Sequence, residues 1–245
     1  MKDSIFKVIS NEKAASRTFR MVLEGDTSAI SGSGQFVQVS LPGYFLRRPI
    51  SIHEYDDRYL TLIYRVVGQG TTDMSRLQPG DTLSVITGLG KCFDIDACRR
   101  KALLIGGGVG AAPLYELGKE LLAQGKEVTV ILGFNSKDEI FLVEEFKNIC
   151  ANVIITTVDG SVGIKGFVTD ALSIRNINYD YFYACGPRVM MKAVCERIHT
   201  AGQVSMEERM GCGFGICYGC TCNTKSGPKR VCKDGPVFNK EEIIW

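Results

Sequence analysis

Residues 101–113 read Lys101-Ala102-Leu103-Leu104-Ile105-Gly106-Gly107-Gly108-Val109-Gly110-Ala111-Ala112-Pro113, an apolar run that breaks into glycines and ends on a proline. The run has the unbroken hydrophobicity of a strand buried on both faces. The glycines make a turn, and Pro113 suits a helix's first turn, where its missing N–H costs nothing. The pattern then repeats: helix 111–124, strand 127–132, helix 140–149, strand 153–158, helix 168–174, strand 181–184, helix 189–201. Strands alternating with helices of this length predict a parallel sheet with helices on both faces.

Upstream the periodicity is different. Residues 4–10, 18–23, 35–41, 48–53, 60–67 and 82–86 alternate apolar and polar positions or are rich in β-branched and aromatic residues, and turn signals such as Pro42-Gly43 and Pro79-Gly80-Asp81 separate them. Short strands at this spacing predict an antiparallel β-barrel. The chain therefore divides into a barrel domain over 1–98, an α/β nucleotide-binding domain over 99–203 and a small C-terminal segment over 204–245. With 245 residues, 45% of them hydrophobic, it has enough material for two cores and a small appendage.

The C-terminal segment carries Gly211-Cys212-Gly213-Phe214-Gly215-Ile216-Cys217-Tyr218-Gly219-Cys220, with a further thiol at Cys232. Cysteines four and two residues apart, followed by a distant fourth, have the ligand spacing of a plant-type 2Fe-2S cluster. The interleaved glycines leave the backbone free to wrap closely around an inorganic core. Residues 224–230 read as a turn that returns the chain, which makes Cys232 the preferred fourth ligand and Cys222 the spare. A structural zinc site is the competing reading. It usually pairs two C-x2–4-C knuckles, and only Cys217 and Cys220 form one here.

Composition narrows the remaining choices. The 29 basic and 27 acidic residues nearly cancel, and the longest basic run is Arg99-Arg100-Lys101, so nucleic-acid binding has no electrostatic support. There is no apolar stretch of membrane-spanning length and no hydrophobic leader at the start, so a cytoplasmic protein is expected. Only two histidines occur, His53 and His199, and no nucleophile–base constellation is visible. Gly106, Gly107, Gly108 and Gly110 form a strand-to-helix turn of the kind that lets a phosphate approach the backbone. Cys185-Gly186-Pro187 ends the last predicted strand at the same sheet edge. In the barrel, Arg47, Arg48 and Ser51 lie on one strand, and Arg65 lies near the Gly68-Gln69-Gly70-Thr71 corner; such groups suit a pyrophosphate.

These motifs, in this order, resemble the ferredoxin-NADP+ reductase superfamily: R-P-x-S and a G-x-G-T corner in a barrel, then G-G-G-x-G-x-x-P and C-G-P in an α/β half. The M-x-C-G-x-G-x-C-x-x-C segment and the following V-C-x-D-G-P-V-F resemble the electron-transfer subunits of class B dihydroorotate dehydrogenases. The resemblance implies that Arg48, Pro49, Ile50, Ser51, Ile63, Tyr64, Arg65, Gly70 and Thr71 hold FAD. It implies that Gly106, Gly107, Gly108, Gly110, Cys185, Gly186 and Pro187 receive NAD, and that Cys212, Cys217, Cys220 and Cys232 hold a 2Fe-2S cluster. It further implies a partner: an FMN-containing dihydroorotate dehydrogenase catalytic subunit, in a heterotetramer of two of each chain. Electrons from dihydroorotate would pass singly through the cluster to FAD and leave as hydride on NAD+, in pyrimidine biosynthesis, with no catalytic acid or base for dihydroorotate on this chain. Phe214, Ile216 and Tyr218, on the cluster loop, would face that partner. The eleven residues between Cys220 and Cys232 are fewer than the family pattern has, and Trp245, beyond the cluster segment, reads as a packing or partner contact. Two other readings stay open on the residues: the small subunit of another ferredoxin- or hydrogenase-linked NAD(P)H oxidoreductase, and a zinc-holding interaction module.

Overall fold

A computed structural model describes residues 1–174 and 176–245. Strands β1 (Lys2–Ala15), β2 (Thr18–Glu24), β3 (Phe36–Val39), β4 (Arg48–Tyr55), β5 (Tyr59–Arg65) and β6 (Thr82–Leu89) close into an antiparallel barrel in the order β1-β2-β5-β4-β3-β6. Period-two patterning fills its interior: Leu83, Val85, Thr87 and Leu89 of β6 are buried while the residues between them are not. Phe6, Val8, Met21, Leu23, Leu60 and Leu62 join Leu83 and Val85 in one core. The glycine-rich corner after β5 differs from the expected loop, because it winds into a short helix, α1 (Gln69–Met74). Met74 plugs the barrel end, and the Thr71 hydroxyl accepts the N–H groups of Val67 and Gly68, replacing partners that the first turn lacks.

The second half holds β7 (Lys101–Gly107), α2 (Pro113–Ala123), β8 (Glu127–Phe134), α3 (Val143–Ile149), β9 (Asn152–Thr157), β10 (Ile164–Lys165), α4 (Val168–Ile174), β11 (Tyr181–Cys185), α5 (Arg188–Arg197) and β12 (Gly202–Ser205). After β12 come the hairpin β13 (Thr221–Thr224) and β14 (Gly227–Arg230), the single turn α6 (Val231–Asp234) and β15 (Val237–Asn239). The main sheet runs β10-β9-β8-β7-β11-β12-β15, parallel throughout except for β15. Leu114, Leu117 and Leu121 repeat at helical spacing on α2 and are fully buried against β7 and β8. Each contributes about 1.5–3 kcal/mol, and an 11-residue helix needs that support, since one so short is marginal alone. Helices α4 and α5 bury Val168, Ala171, Met191 and Val194 on the opposite face. Helix α5 stops at Arg197, four residues short of the expected 201, and the chain turns into β12. Among the described residues no helix is long and apolar enough to cross a membrane.

The C-terminal segment is built into this sheet rather than hung from it. Met206 N–H donates to Pro236 O at 2.9 Å, and β15 pairs with β12. Val231, Cys232, Phe238 and Ile243 share a core with Met191 and Val194, and Trp245 packs partly against it.

Barrel and sheet meet along α2. The carboxylate of Glu120 on α2 accepts the Ser33 N–H at 3.1 Å and the Ser33 hydroxyl at 2.5 Å. His53 on β4 is fully buried, its Nδ1 is 2.9 Å from Ala112 O, and its ring stacks on Tyr115. Burial lowers its pKa from 6.5 to about 4, partly opposed by the Ala112 carbonyl. In the unfolded chain His53 takes up a proton below about pH 6.5, whereas the folded protein resists protonation until about pH 4. The stability this neutral ring contributes is therefore lost as pH falls from 6.5 towards 4, by an amount on the order of 3 kcal/mol. Urea unfolding across that range should show His53→Gln markedly less acid-sensitive than the parent; equal pH slopes would assign the acid response to other groups.

Candidate functional site

A cleft of about 690 Å³ opens where the barrel meets the carboxyl edge of the sheet. Arg48, Pro49, Ile50 and Ser51 of β4, Ile63, Tyr64 and Arg65 of β5, and Thr71 of α1 all line it. Gly70 does not, but a side chain there would collide with the Arg48 guanidinium. The two consecutive arginines are used differently. Arg47 pairs with Asp3 at 2.8 Å and donates to Ser84 O at 3.2 Å. Arg48 lies over the Tyr44 ring, 4.5 Å from its centroid, donates to Leu46 O, and has no carboxylate partner among the described residues. Its charge is left for an anionic ligand of the cleft.

Other expected contacts are partly committed elsewhere. Arg65 pairs with Glu139 at 2.8 Å, linking barrel to sheet domain. Tyr64 is buried in the barrel core with its hydroxyl donating to Asn11 Oδ1 at 2.9 Å, so its side chain points away from the cleft. The Thr71 hydroxyl is occupied by the helix start it caps.

Strands β7 and β11 are adjacent and parallel, with Gly106 opposite Cys185. The connections from these two strands leave in opposite directions, and the crevice at such a switch point is where open α/β sheets take ligands. Gly106, Gly107, Gly108 and Gly110 thus come against Cys185, Gly186 and Pro187. A side chain on Gly110 would strike the Cys185 carbonyl, and one on Gly107 would strike Met190. Burial, with a further contribution from nearby Glu207, pushes the thiol of the fully buried Cys185 far up, so it is a neutral group and no nucleophile. Val109, inside the glycine turn, also lines the cleft beside β4 and β5.

The far wall was not anticipated from sequence. Ser205 at the end of β12, Met206, Glu207 and Met210 just after it, and Pro236 from the return segment reach the cleft. Glu207 lines the cleft while still exposed to solvent, and the partial loss of solvent around its carboxyl raises its pKa. Its signal in the sequence is slight: a glutamate two residues after a short strand.

Met210 leads into the cysteine loop, where the four expected ligands fall into two pairs. Cys212 Sγ accepts the N–H groups of Ile216 at 3.2 Å and Cys217 at 3.4 Å, and Cys217 Sγ accepts those of Cys212 at 3.4 Å and Gly219 at 3.5 Å. Cys232 N–H donates to Cys220 Sγ at 3.4 Å. Gly213 and Gly215 make this wrapping possible with φ of 80° and 91°, and Tyr218 takes a third positive φ of 58°. Burial alone would raise the Cys212 thiol, but the N–H groups of Cys217, Phe214 and Ile216 bring it down to about 6, towards the thiolate a metal needs. Burial and the neighbouring Cys220 push Cys232 up to about 12. Among the described residues no three His, Cys, Asp or Glu side chains gather as ligands of one metal ion. Four thiols at this ligand spacing, served by main-chain N–H groups, are a donor set that fits a 2Fe-2S cluster. Cys222 is buried on β13, and no hydrogen bond links its sulfur to those four. Arg230 anchors the loop, donating to Gly215 O at 2.8 Å and lying 4.8 Å from the Tyr218 ring centroid.

Residues 207–244 match the family described as the iron-sulfur cluster binding domain of dihydroorotate dehydrogenase B, and residues 104–196 match the oxidoreductase NAD-binding domain. The dihydroorotate dehydrogenase B (NAD(+)) electron transfer subunit of Geobacillus sp. (strain WCH70) is 43% identical over 257 aligned positions, covering 100% of this chain and 99% of that one. Its namesake in Fusobacterium nucleatum is 40% identical, covering 99% of each. Among solved structures, a chain of an NADH-dependent reduced ferredoxin-NADP oxidoreductase superposes with a TM-score of 0.90 at 32% identity, covering 98% of this chain and 90% of that one. The resemblance read from the motifs is borne out: this chain belongs to the family of dihydroorotate dehydrogenase B (NAD(+)) electron transfer subunits.

Proposed function

We infer that this chain is the electron-transfer subunit of a dihydroorotate dehydrogenase B, carrying electrons from a catalytic partner through an iron–sulfur cluster and FAD to NAD+. The observation that carries the reading is continuity: one cleft has Arg48 and Ser51 on one wall, Val109 of the glycine turn on another, and Met210, two residues from Cys212, on a third. When bound, nicotinamide exchanges hydride, flavin exchanges one or two electrons, and a 2Fe-2S cluster exchanges one. The chain's own part is to hold and orient these groups. Arg48 neutralises the pyrophosphate of FAD, Pro49, Ile50, Ser51, Ile63 and Thr71 shape its seat, and Tyr64, Arg65 and Gly70 support that wall. Gly106, Gly107, Gly108 and Gly110 let the nucleotide reach the backbone, and Cys185, Gly186 and Pro187 close the nicotinamide end. Reducing NAD+ consumes two electrons and one proton, and Glu207, whose carboxyl oxygen keeps its proton to higher pH than a free glutamate, can hold that proton in the cleft.

The same proposal assigns residues 1–98 to FAD, 99–203 to NAD and 204–245 to the cluster, in a cytoplasmic heterotetramer with two FMN-bearing catalytic subunits. Thiolate ligands that must stay reduced support that compartment. Exposed apolar residues on the cluster loop support docking there: Ile216 and Tyr218 are 72% and 64% exposed. Anaerobic co-expression with a dihydroorotate-oxidising FMN subunit should yield a complex that reduces NAD+ from dihydroorotate. Because Tyr218 also packs under Arg230, Ile216→Asp is the cleaner probe of docking. It should weaken association about tenfold or more, equivalent to about 1.4 kcal/mol, and leave NADH-to-dye turnover unchanged. The likeness at a TM-score of 0.90 favours a second reading, a ferredoxin-linked oxidoreductase subunit. A chain that stays alone on size exclusion and reduces NAD+ only from reduced ferredoxin would decide for it.

A further inference from the structure

Gln38 lies on β3 and is fully buried. Its neighbours across the sheet are Pro49 on β4 and Ile86 on β6, so it sits beside the strand that carries Arg48 and Ser51. Buried carboxamides normally have both ends hydrogen bonded. Here Oε1 has no partner among the described residues, and Nε2 reaches only Met210 Sδ, at 4.0 Å, a weak acceptor. The amide is pressed instead against the cysteine loop. A side chain on Gly213 would overlap Nε2, and Gly213 directly follows Cys212. A donor with no strong protein acceptor therefore ends at the backbone that carries a metal ligand.

We propose that Gln38 Nε2 donates a hydrogen bond to a sulfur of the iron–sulfur centre held by this loop, and that Gln38 is thereby a tuning residue for that centre's reduction potential. The inference rests on the iron–sulfur reading above. Donors to cluster sulfurs favour the more negative, reduced state and raise the potential. Main-chain N–H groups of Ile216, Cys217 and Cys232 already serve the thiols from within the segment. Gln38 adds a donor from the barrel, tying the readiness of the centre to accept an electron to the strand paired with the one that carries Arg48 and Ser51.

Gln38→Met keeps the side chain's length and removes donor and acceptor together. In an anaerobic redox titration of the intact protein followed by EPR, Gln38→Met should hold about tenfold less reduced cluster at a given applied potential, a midpoint about 59 mV lower for one electron. FAD content and the flavin midpoint should not move. Gln38→Glu, which replaces the donor with an acceptor, should lower the cluster midpoint further. In wild-type protein carrying 15N in its glutamine side chains, pulsed EPR of the reduced cluster should detect a nitrogen coupling, a measurement independent of how the variants fold. An unchanged cluster midpoint in Gln38→Met, a shift of the flavin midpoint instead, or no 15N coupling in wild type overturns the proposal. A wild-type protein with no cluster signal at all overturns the iron–sulfur reading instead.

Discussion

Serine at Cys212, Cys217, Cys220 or Cys232 is expected to reduce dihydroorotate-dependent NAD+ reduction to background in the complex, while NADH-to-dye activity through FAD survives. The four sulfurs fall into two pairs, and a cluster held by all four would be left one ligand short by any of these changes. Loss of an outer-shell partner typically costs roughly 10–100-fold in metal affinity, and loss of a direct ligand costs more. The visible iron–sulfur bands should bleach in all four variants. Cys222→Ser should keep them, because that thiol is packed on β13 among apolar side chains. An intact spectrum in Cys232→Ser, or a bleached one in Cys222→Ser, would move the fourth ligand to Cys222.

Arg48→Ala is expected to purify largely without FAD. The guanidinium is held by the Tyr44 ring and the Leu46 carbonyl and faces the cleft without a carboxylate partner among the described residues. A hydrogen bond to a charged group is worth about 1.5–3 kcal/mol, so losing one weakens binding about 10- to 100-fold. Gly70→Val should act in the same direction, since its side chain would displace that guanidinium. Flavin absorbance after gel filtration at dilute protein measures both. Full occupancy in Arg48→Ala would remove Arg48 from the pyrophosphate site.

What could be read in the chain beforehand follows from which signals are local. The barrel strands and the strand–turn–helix at Gly106 announce themselves through periodicity and glycine placement, and the cysteine loop through ligand spacing. Neighbours on one strand face opposite ways, so a motif that names both Ile63 and Tyr64 cannot say that the Tyr64 ring turns into the barrel while Ile63 packs towards the sheet domain. Helix α1 was hidden because its glycines read as a turn, and its support comes from Met74 in the barrel core. Strands β12 and β15 have four and three residues, too few for a pattern, and owe their conformation to pairing partners distant in sequence. Glu207 and Gln38 are single polar residues whose meaning depends on what surrounds them, and only the assembled cleft and loop supply that.

The pairing of β15 with β12 changes what kind of object the metal-binding segment is. Residues 206–236 leave the sheet and return to it at neighbouring positions, stitched by the bond from Met206 N–H to Pro236 O. The segment is an excursion between two adjacent strands, a cassette with both ends moored, and the carboxyl terminus beyond it is the mooring. Its closure is borne by the sheet, so the cost of organising the cysteines is largely met before any iron arrives. A truncation that leaves every cysteine in place but removes residues 237–245 would take away the strand that moors the cassette and set it adrift.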